Sequence, residues 1–204
     1  MGFYLAIIIF CTCILIAYQN AVTGRAKERA SKKFWDREAD ANHVRRADIS
    51  SLDYIRFSPD DLPIDAAVSA GLSDEVSTLK TLADRRIINL SMYTNTDLKE
   101  AYGPANLDEL SGYDENFTVL IRTLNKLGCA LLDAGDGTSA SAFLSYAVSI
   151  GSDITETYAR LGSYYAENGA DDLLNALIEK AAEIKTLSGA TIRSKLDSIK
   201  SDVK

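Results

Sequence analysis

Side chains suited to catalysis are scarce in this chain. Of its 204 residues one is histidine, three are cysteine and one is tryptophan. The histidine, His43, sits in a run of basic residues, where a solvated imidazole is expected rather than a general base. With one histidine and no clustered cysteines there is no zinc or haem signature. Cys11 and Cys13 fall in an apolar run and only Cys129 lies in the body, which excludes an intramolecular disulfide framework there. No G-x-x-x-x-G-K-[ST] phosphate loop occurs. The stretch GDGTSA, Gly135 to Ala140, spells G-x-G-x-x-A, but it follows a helical pattern rather than a strand and reads as a turn between helices. Asp60–Asp61 and Asp171–Asp172 suit solvated turns and helix starts better than paired catalytic carboxylates. The expectation is a protein that is not an enzyme and carries no cofactor and no metal.

Proline is equally sparse, with Pro59, Pro63 and Pro104 alone. Long helices are therefore free to form elsewhere. No run alternates apolar and polar residues long enough to build a sheet, and RRIINLSMY is the one modest strand candidate. Helix starts are expected at Ser73, at Asn106 with Glu109 three residues on, at Asp114, at Asp153 with Glu156 three on, and near Asp171. Residues 49–63 read as extended or irregular, laid against a helical body by Leu52, Tyr54, Ile55 and Phe57. The fold class is mostly α.

Charge is absent from Phe3 to Tyr18, FYLAIIIFCTCILIAY, where only Thr12 is clearly polar. As a helix those residues span about 24 Å, and extension over 1–22 gives roughly 33 Å, enough for a hydrocarbon core of about 30 Å. Nothing basic precedes the run, as a secretory signal would want, and a core helix would not be apolar on every side at a chain end. A transmembrane anchor over residues 1–23 is the expectation, with membrane contact through residues 3–22. Residues 24–48 then form a basic juxtamembrane linker. Over residues 24–46, Arg25, Lys27, Arg29, Lys32, Lys33, Arg37, Arg45 and Arg46 face four acids, a net +4, whereas residues 47–204 carry −11. The positive-inside rule places the body in the cytoplasm, so the chain is read as a single-pass cell-membrane protein. Arg25–Arg46 is also a candidate contact for anionic lipid, with Phe34 and Trp35 near the interface. The acidic body disfavours nucleic acid.

Two phrases nearly repeat: KLGCALLDAG, Lys126 to Gly135, and RLGSYYAENG, Arg160 to Gly169. Leu127–Gly128 and Leu161–Gly162 are separated by the same interval as Gly135 and Gly169. Leu124 pairs with Tyr158 at that interval, Leu131 with Tyr165, Ala140 with Leu174, Leu144 with Ile178 and Ala147 with Ala181. The pattern resembles the tetratricopeptide repeat, a helix–turn–helix unit whose period of about 34 residues is the interval seen here. The resemblance implies units at about 121–154 and 155–188, so that residues 114–204 hold two repeats and a capping helix through Ile192, Leu196 and Ile199. Residues 49–113 would be an irregular helical cap at the other end. The family's Trp and closing Pro are missing, and Leu174 is large where the family prefers a small residue. The other arrangement open to these residues is two unrelated hairpins in a helical bundle. The stretches LDYIRFSPDDLP and NLSMYTNTDLKEAYGPANL also resemble a family of small anchored proteins of clostridial bacteria, which implies no activity.

In the repeat family the first helix of each unit lines a concave groove. The resemblance therefore implies a partner-binding stripe of Arg122, Asn125, Cys129 and Leu132 in the first unit. In the second unit it implies Glu156, Ala159, Ser163 and Ala166, with Lys126 and Arg160 alongside. Some members grip a C-terminal carboxylate with Lys and Asn where this chain has Asn125 and Cys129, which puts that clamp in doubt here. The expected partner is a protein or peptide bound at Arg122, Asn125, Cys129, Arg160 and Ser163, by a scaffold or adaptor. Two alternatives stay open: an enzyme or enzyme subunit with a site near Tyr93, Asn95, Asp97 and Tyr102, or a structural subunit of a membrane complex.

Overall fold

The computed structural model of the chain describes residues 2–202. Within the first helix the side chains at positions 2, 3, 5–9, 11, 13, 17 and 21 are not described, so part of the expected anchor, Cys11 and Cys13 included, lies outside the described residues. Among the described residues the chain is mostly helical and holds no strand. The helices are α1 (Gly2–Ala41), α2 (Ile64–Ser69), α3 (Ser73–Ala83), α4 (Asn95–Tyr102), α5 (Leu107–Asp133), α6 (Gly137–Ser149), α7 (Thr155–Glu167), α8 (Asp171–Ala182) and α9 (Ser188–Asp202), with short 3-10 turns at Pro59–Asp61 and Pro104–Asn106. The chain divides into two compact units, Met1–Asp48 with Asn95–Leu107, and Ile49–Thr94 with Asp108–Lys204. The expected cap at 49–113 thus contributes to both.

In the first unit, α1 runs unbroken for 40 residues, about 60 Å, because no proline interrupts it. The basic segment 24–41 is therefore helical as well. Tyr4, Phe10, Ile14, Leu15, Ile16, Tyr18 and Val22 are exposed large apolar or aromatic side chains. Among the described residues no helix is long and apolar enough to cross a membrane. The last turns of α1 are clasped by α4. Arg37 bonds Glu100 through Nε at 2.8 Å and reaches Asp97 and Glu100 through its second nitrogen at 2.6 Å. Glu38 accepts from Thr96 at 2.7 Å and ion-pairs with Lys99. Beyond α1, Ala47 N–H donates to the Tyr102 carbonyl at 3.0 Å. Asn106, fully buried, donates to the carbonyls of Ala47 at 2.8 Å and Tyr102 at 2.7 Å, and accepts from Arg46 at 2.8 Å. α5 begins directly after Asn106, where the sequence places a helix start, but the side chain is turned to those carbonyls rather than to the helix it precedes.

The second unit is built on two adjoining apolar cores. One joins Val76, Leu79 and Leu82 of α3 to Phe117, Leu120, Leu124, Leu127 and Leu131 of α5 and to Ala140, Phe143 and Ala147 of α6, with Ile55 and Phe57 packed against it. The other joins Leu144 and Val148 of α6, Tyr158, Leu161 and Tyr165 of α7, Leu174, Leu177 and Ala181 of α8, and Ile192 and Leu196 of α9. Residues 49–63 are irregular apart from the Pro59–Asp61 turn, as expected. The strand candidate is irregular too. Ile87, Ile88 and Leu90 are buried, but the backbone is held piecemeal: Ile55 N–H bonds the Ile87 carbonyl at 2.8 Å and Leu90 N–H bonds the Asp114 carboxylate at 2.8 Å. Asp114 is spent on that loop, so no helix starts there and α5 passes through it without a break.

The repeat interval recurs in the element boundaries. α5 ends at Asp133 and α7 at Glu167; α6 starts at Gly137 and α8 at Asp171. Gly135 and Gly169 both take positive φ, +85° and +65°, which ends the first helix of each pair. GDGTSA is a turn, as its place after a helical pattern implies, with Asp136 accepting from Ser139 N–H at the start of α6. A Cβ at Gly128 would lie 2.4 Å from Leu144 Cγ, whereas one at Gly162 would lie 2.7 Å from Leu196 Cδ2. The first glycine thus admits the second helix of its own pair, and the other admits α9.

Candidate partner-binding surface

The stripe expected from the sequence lies on α5 and α7, the first helices of the two pairs. Spacing of three and four residues aligns Arg122, Asn125, Cys129 and Leu132 on one face of α5. Asn125 is the junction. Its carboxamide donates to Glu156 Oε2 at 3.0 Å, and its oxygen accepts from Thr157 Oγ1 at 2.8 Å and from Cys129 Sγ at 3.6 Å. One turn further, Arg160 donates to the Cys129 carbonyl at 3.3 Å and ion-pairs with Asp133. Arg160 Nε is buried with no hydrogen-bond partner among the described residues.

Asn125, Cys129 and Arg160 are therefore brought together, and they bind one another's helices. Burial pushes the half-buried Cys129 thiol up, and Glu156 adds to the shift, so the side chain stays a neutral thiol rather than an activated nucleophile. Asp133 holds the Arg160 guanidinium still more firmly protonated. Lys126 ion-pairs with Glu75 of α3, and its ammonium bonds hold that carboxyl below the usual carboxylate range. Arg122 is exposed and makes no hydrogen bond or ion pair among the described residues. Ser163 is half-buried on α7, one repeat period after Cys129. Of the five residues, Arg122 has its charge free for a partner, while three tie α5 to α7.

Two concavities lie away from this stripe, at the second helices. An apolar channel of about 200 Å³ is lined by Val148 of α6, Leu161 and Tyr165 of α7, and Leu173, Ala176 and Leu177 of α8, with Leu173 53% exposed. A polar cavity of about 220 Å³ gathers Asn89, Asp153, Lys180, Glu183 and Thr186 where α6 and α8 end. The hydroxyl of Thr186 is buried and has no hydrogen-bond partner among the described residues.

Two groups escape a reading of the sequence. Thr157, fully buried, completes the Asn125 junction, and its one signal is Thr123 standing a repeat period earlier. Leu173 and Leu177 line the channel, but inside an apolar helix pattern nothing marks which leucine stays uncovered. The residues of the alternative upstream site are placed as follows. Asp97 is bound by Arg37, the Tyr102 carbonyl is taken by Ala47 and Asn106, and Tyr93 and Asn95 are exposed. Among the described residues no group of three or more His, Cys, Asp or Glu side chains is placed to hold a metal ion.

Compared with known proteins, the chain matches no family model, no curated protein and no solved structure.

Proposed function

We propose that the chain is a single-pass membrane protein that presents a small tetratricopeptide-like scaffold on the cytoplasmic side, where it binds a protein or peptide partner. One observation carries the repeat reading: most of the matched positions one repeat period apart share their burial. Leu124 and Tyr158, Leu127 and Leu161, and Ala147 and Ala181 are all at 1% exposure or less. Chance pairs of helices have no reason to keep that register through both members of each hairpin. The tether reading is supported by α1, whose described apolar side chains are exposed at successive positions Ile14, Leu15 and Ile16, on all sides of the helix. Anchoring would raise the local concentration of the stripe at one surface, so a weak partner segment would still be engaged.

On this reading Arg122 makes the charged contact. Asn125, Cys129, Arg160 and Ser163 form the floor beside it. The test is photo-crosslinking in the native membrane, with the reactive residue placed at 159, at 163 or at the control position 198. Trapping of the same single protein from 159 and 163, lost on adding Arg122→Gln, is the expected outcome. Equal trapping from all three positions sinks the reading. A second reading, a structural subunit of a membrane complex, is favoured by the channel under Leu173, and crosslinking from 173 at fixed stoichiometry would support it.

A further inference from the structure

The lipid contact expected at Arg25–Arg46 draws on eight basic residues. The structure sorts them. Arg37 is held by Asp97 and Glu100, and Arg46 donates to buried Asn106, so both guanidiniums are engaged within the first unit. Arg25, Lys27, Arg29, Lys32 and Lys33 are all exposed, and none is in an ion pair or side-chain hydrogen bond among the described residues. Because α1 continues through this stretch, Arg25, Arg29, Lys32 and Lys33 fall on one helix face at steps of four, three and one.

Axial position matters as much as the face. Arg25 lies about 4.5 Å beyond Val22 along the helix, Arg29 about 10 Å and Lys33 about 16 Å. A headgroup layer of roughly 5–8 Å, extended by long side chains and a screening length of about 8 Å, covers that range. Phe34 and Trp35, exposed and stacked edge to face at 5.2 Å, lie about 18–20 Å out. On a helix near the membrane normal they stand clear of the interface, so the cations act without aromatic insertion.

We propose that the Arg25, Arg29, Lys32 and Lys33 face of α1 binds anionic phospholipid headgroups of the leaflet that the apolar start of the helix enters, and that Arg37 and Arg46 take no part. This rests on the membrane-anchor reading. Charge complementarity selects the occupant: four unpaired cations outnumber Glu28 and Asp36, the acids on and beside that face, and lie within reach of a surface whose potential attracts each Lys or Arg.

Trp35 is the sole tryptophan, so the full chain carries its own fluorescent donor. In nanodiscs of phosphatidylcholine with some phosphatidylserine, energy transfer from Trp35 to dansyl-labelled phosphatidylserine is compared with transfer to dansyl-labelled phosphatidylcholine. The expected result is a preference of about three-fold for the anionic lipid around the protein. It should fall to parity in about 1 M NaCl and in the combined Arg25→Gln, Arg29→Gln, Lys32→Gln, Lys33→Gln variant, and persist in Arg37→Gln. Parity in the native chain overturns the proposal, and so does a preference that survives the fourfold variant or vanishes in Arg37→Gln. Flotation with phosphatidylcholine vesicles in high salt tests the anchor separately. A chain that floats there but shows parity keeps its anchor and loses the lipid site. One that floats only on anionic vesicles at low salt loses the anchor and keeps the cationic face.

Discussion

Gly103 shows how a single residue sets the geometry of the first unit. Its φ is +83°, a region that costs an L-residue energy, and a Cβ built there would sit 2.6 Å from the Arg45 carbonyl oxygen. Backbone rather than a flexible side chain would have to move. Gly103→Ala should therefore destabilise the chain by on the order of 2–4 kcal/mol. Gly71 has nearly the same φ, +80°, but nothing lies within 4 Å of its would-be Cβ. Gly71→Ala should cost only about 1 kcal/mol, the conformational part alone. Urea unfolding of both variants separates the two contributions, and equal losses would show that the Arg45 contact is unimportant. The same scale explains Asn106. Its hydrogen bonds to Arg46 and Ala47 reach back across an entire intervening segment of the chain. Nothing local marks an asparagine for that task, so its sequence context reads as a helix start.

At the scale of elements, the clasp of α4 on α1 is electrostatic and responds to pH. Hydrogen bonds from Lys99 and Thr96 hold the Glu38 carboxyl below its ordinary range, and Arg37 does the same for Glu100. Both carboxyls bind protons more readily when the clasp is open. Their contribution is thus complete above the ordinary carboxylate pKa of about 4.3 and is lost as pH falls through the depressed values. Amide exchange in α4, corrected for its intrinsic rate, should be steady from pH 7 to about 5 and rise below about 4. A protection factor that stays level down to pH 3 would exclude these pairs as the fastening. The hairpins are far more readable than this clasp. Leu127–Gly128 and Leu161–Gly162 announce close packing within one or two turns, and Gly135 and Gly169 announce the stops. Arg37 and Glu38 announce nothing, because their partners lie far along the chain in a stretch read only as part of an irregular cap. The loop around Ile87 is opaque for another reason. Its apolar run is buried without a sheet, held by Asp114 and by single backbone bonds that no periodicity encodes.

For the molecule as a whole, α9 decides whether two hairpins suffice. Two helical hairpins leave an uncovered apolar face, and stacks of such hairpins ordinarily need about three layers. Ile192 and Leu196, both 0% exposed, close that face, with Leu196 over the gap left by Gly162. Leu196→Ala should cost about 2–5 kcal/mol and speed exchange in α7 and α8 together. Ile199→Ala, at a half-buried position packed on the same core, should cost roughly 1 kcal/mol. Loss of protection confined to α9 in the first variant would mean the cap is dispensable. The capping stripe itself is visible in the sequence, because apolar residues at 192, 196 and 199 recur between charged ones.

The division of the first unit also imposes a timetable. Its two pieces are separated in the chain by the 49–94 segment, so the clasp partners of Arg37 and Glu38 are made 58 to 63 residues after them. At a synthesis rate of about 5–20 residues per second, that gap lasts about 3–12 s. For that interval the end of α1 exists without α4, while Arg25, Arg29, Lys32 and Lys33 are already complete. The basic face of α1 is thus available to a partner before its neighbour along the helix can be fastened. Chain order, rather than the strength of the ion pairs, sets the earliest moment at which the clasp can close.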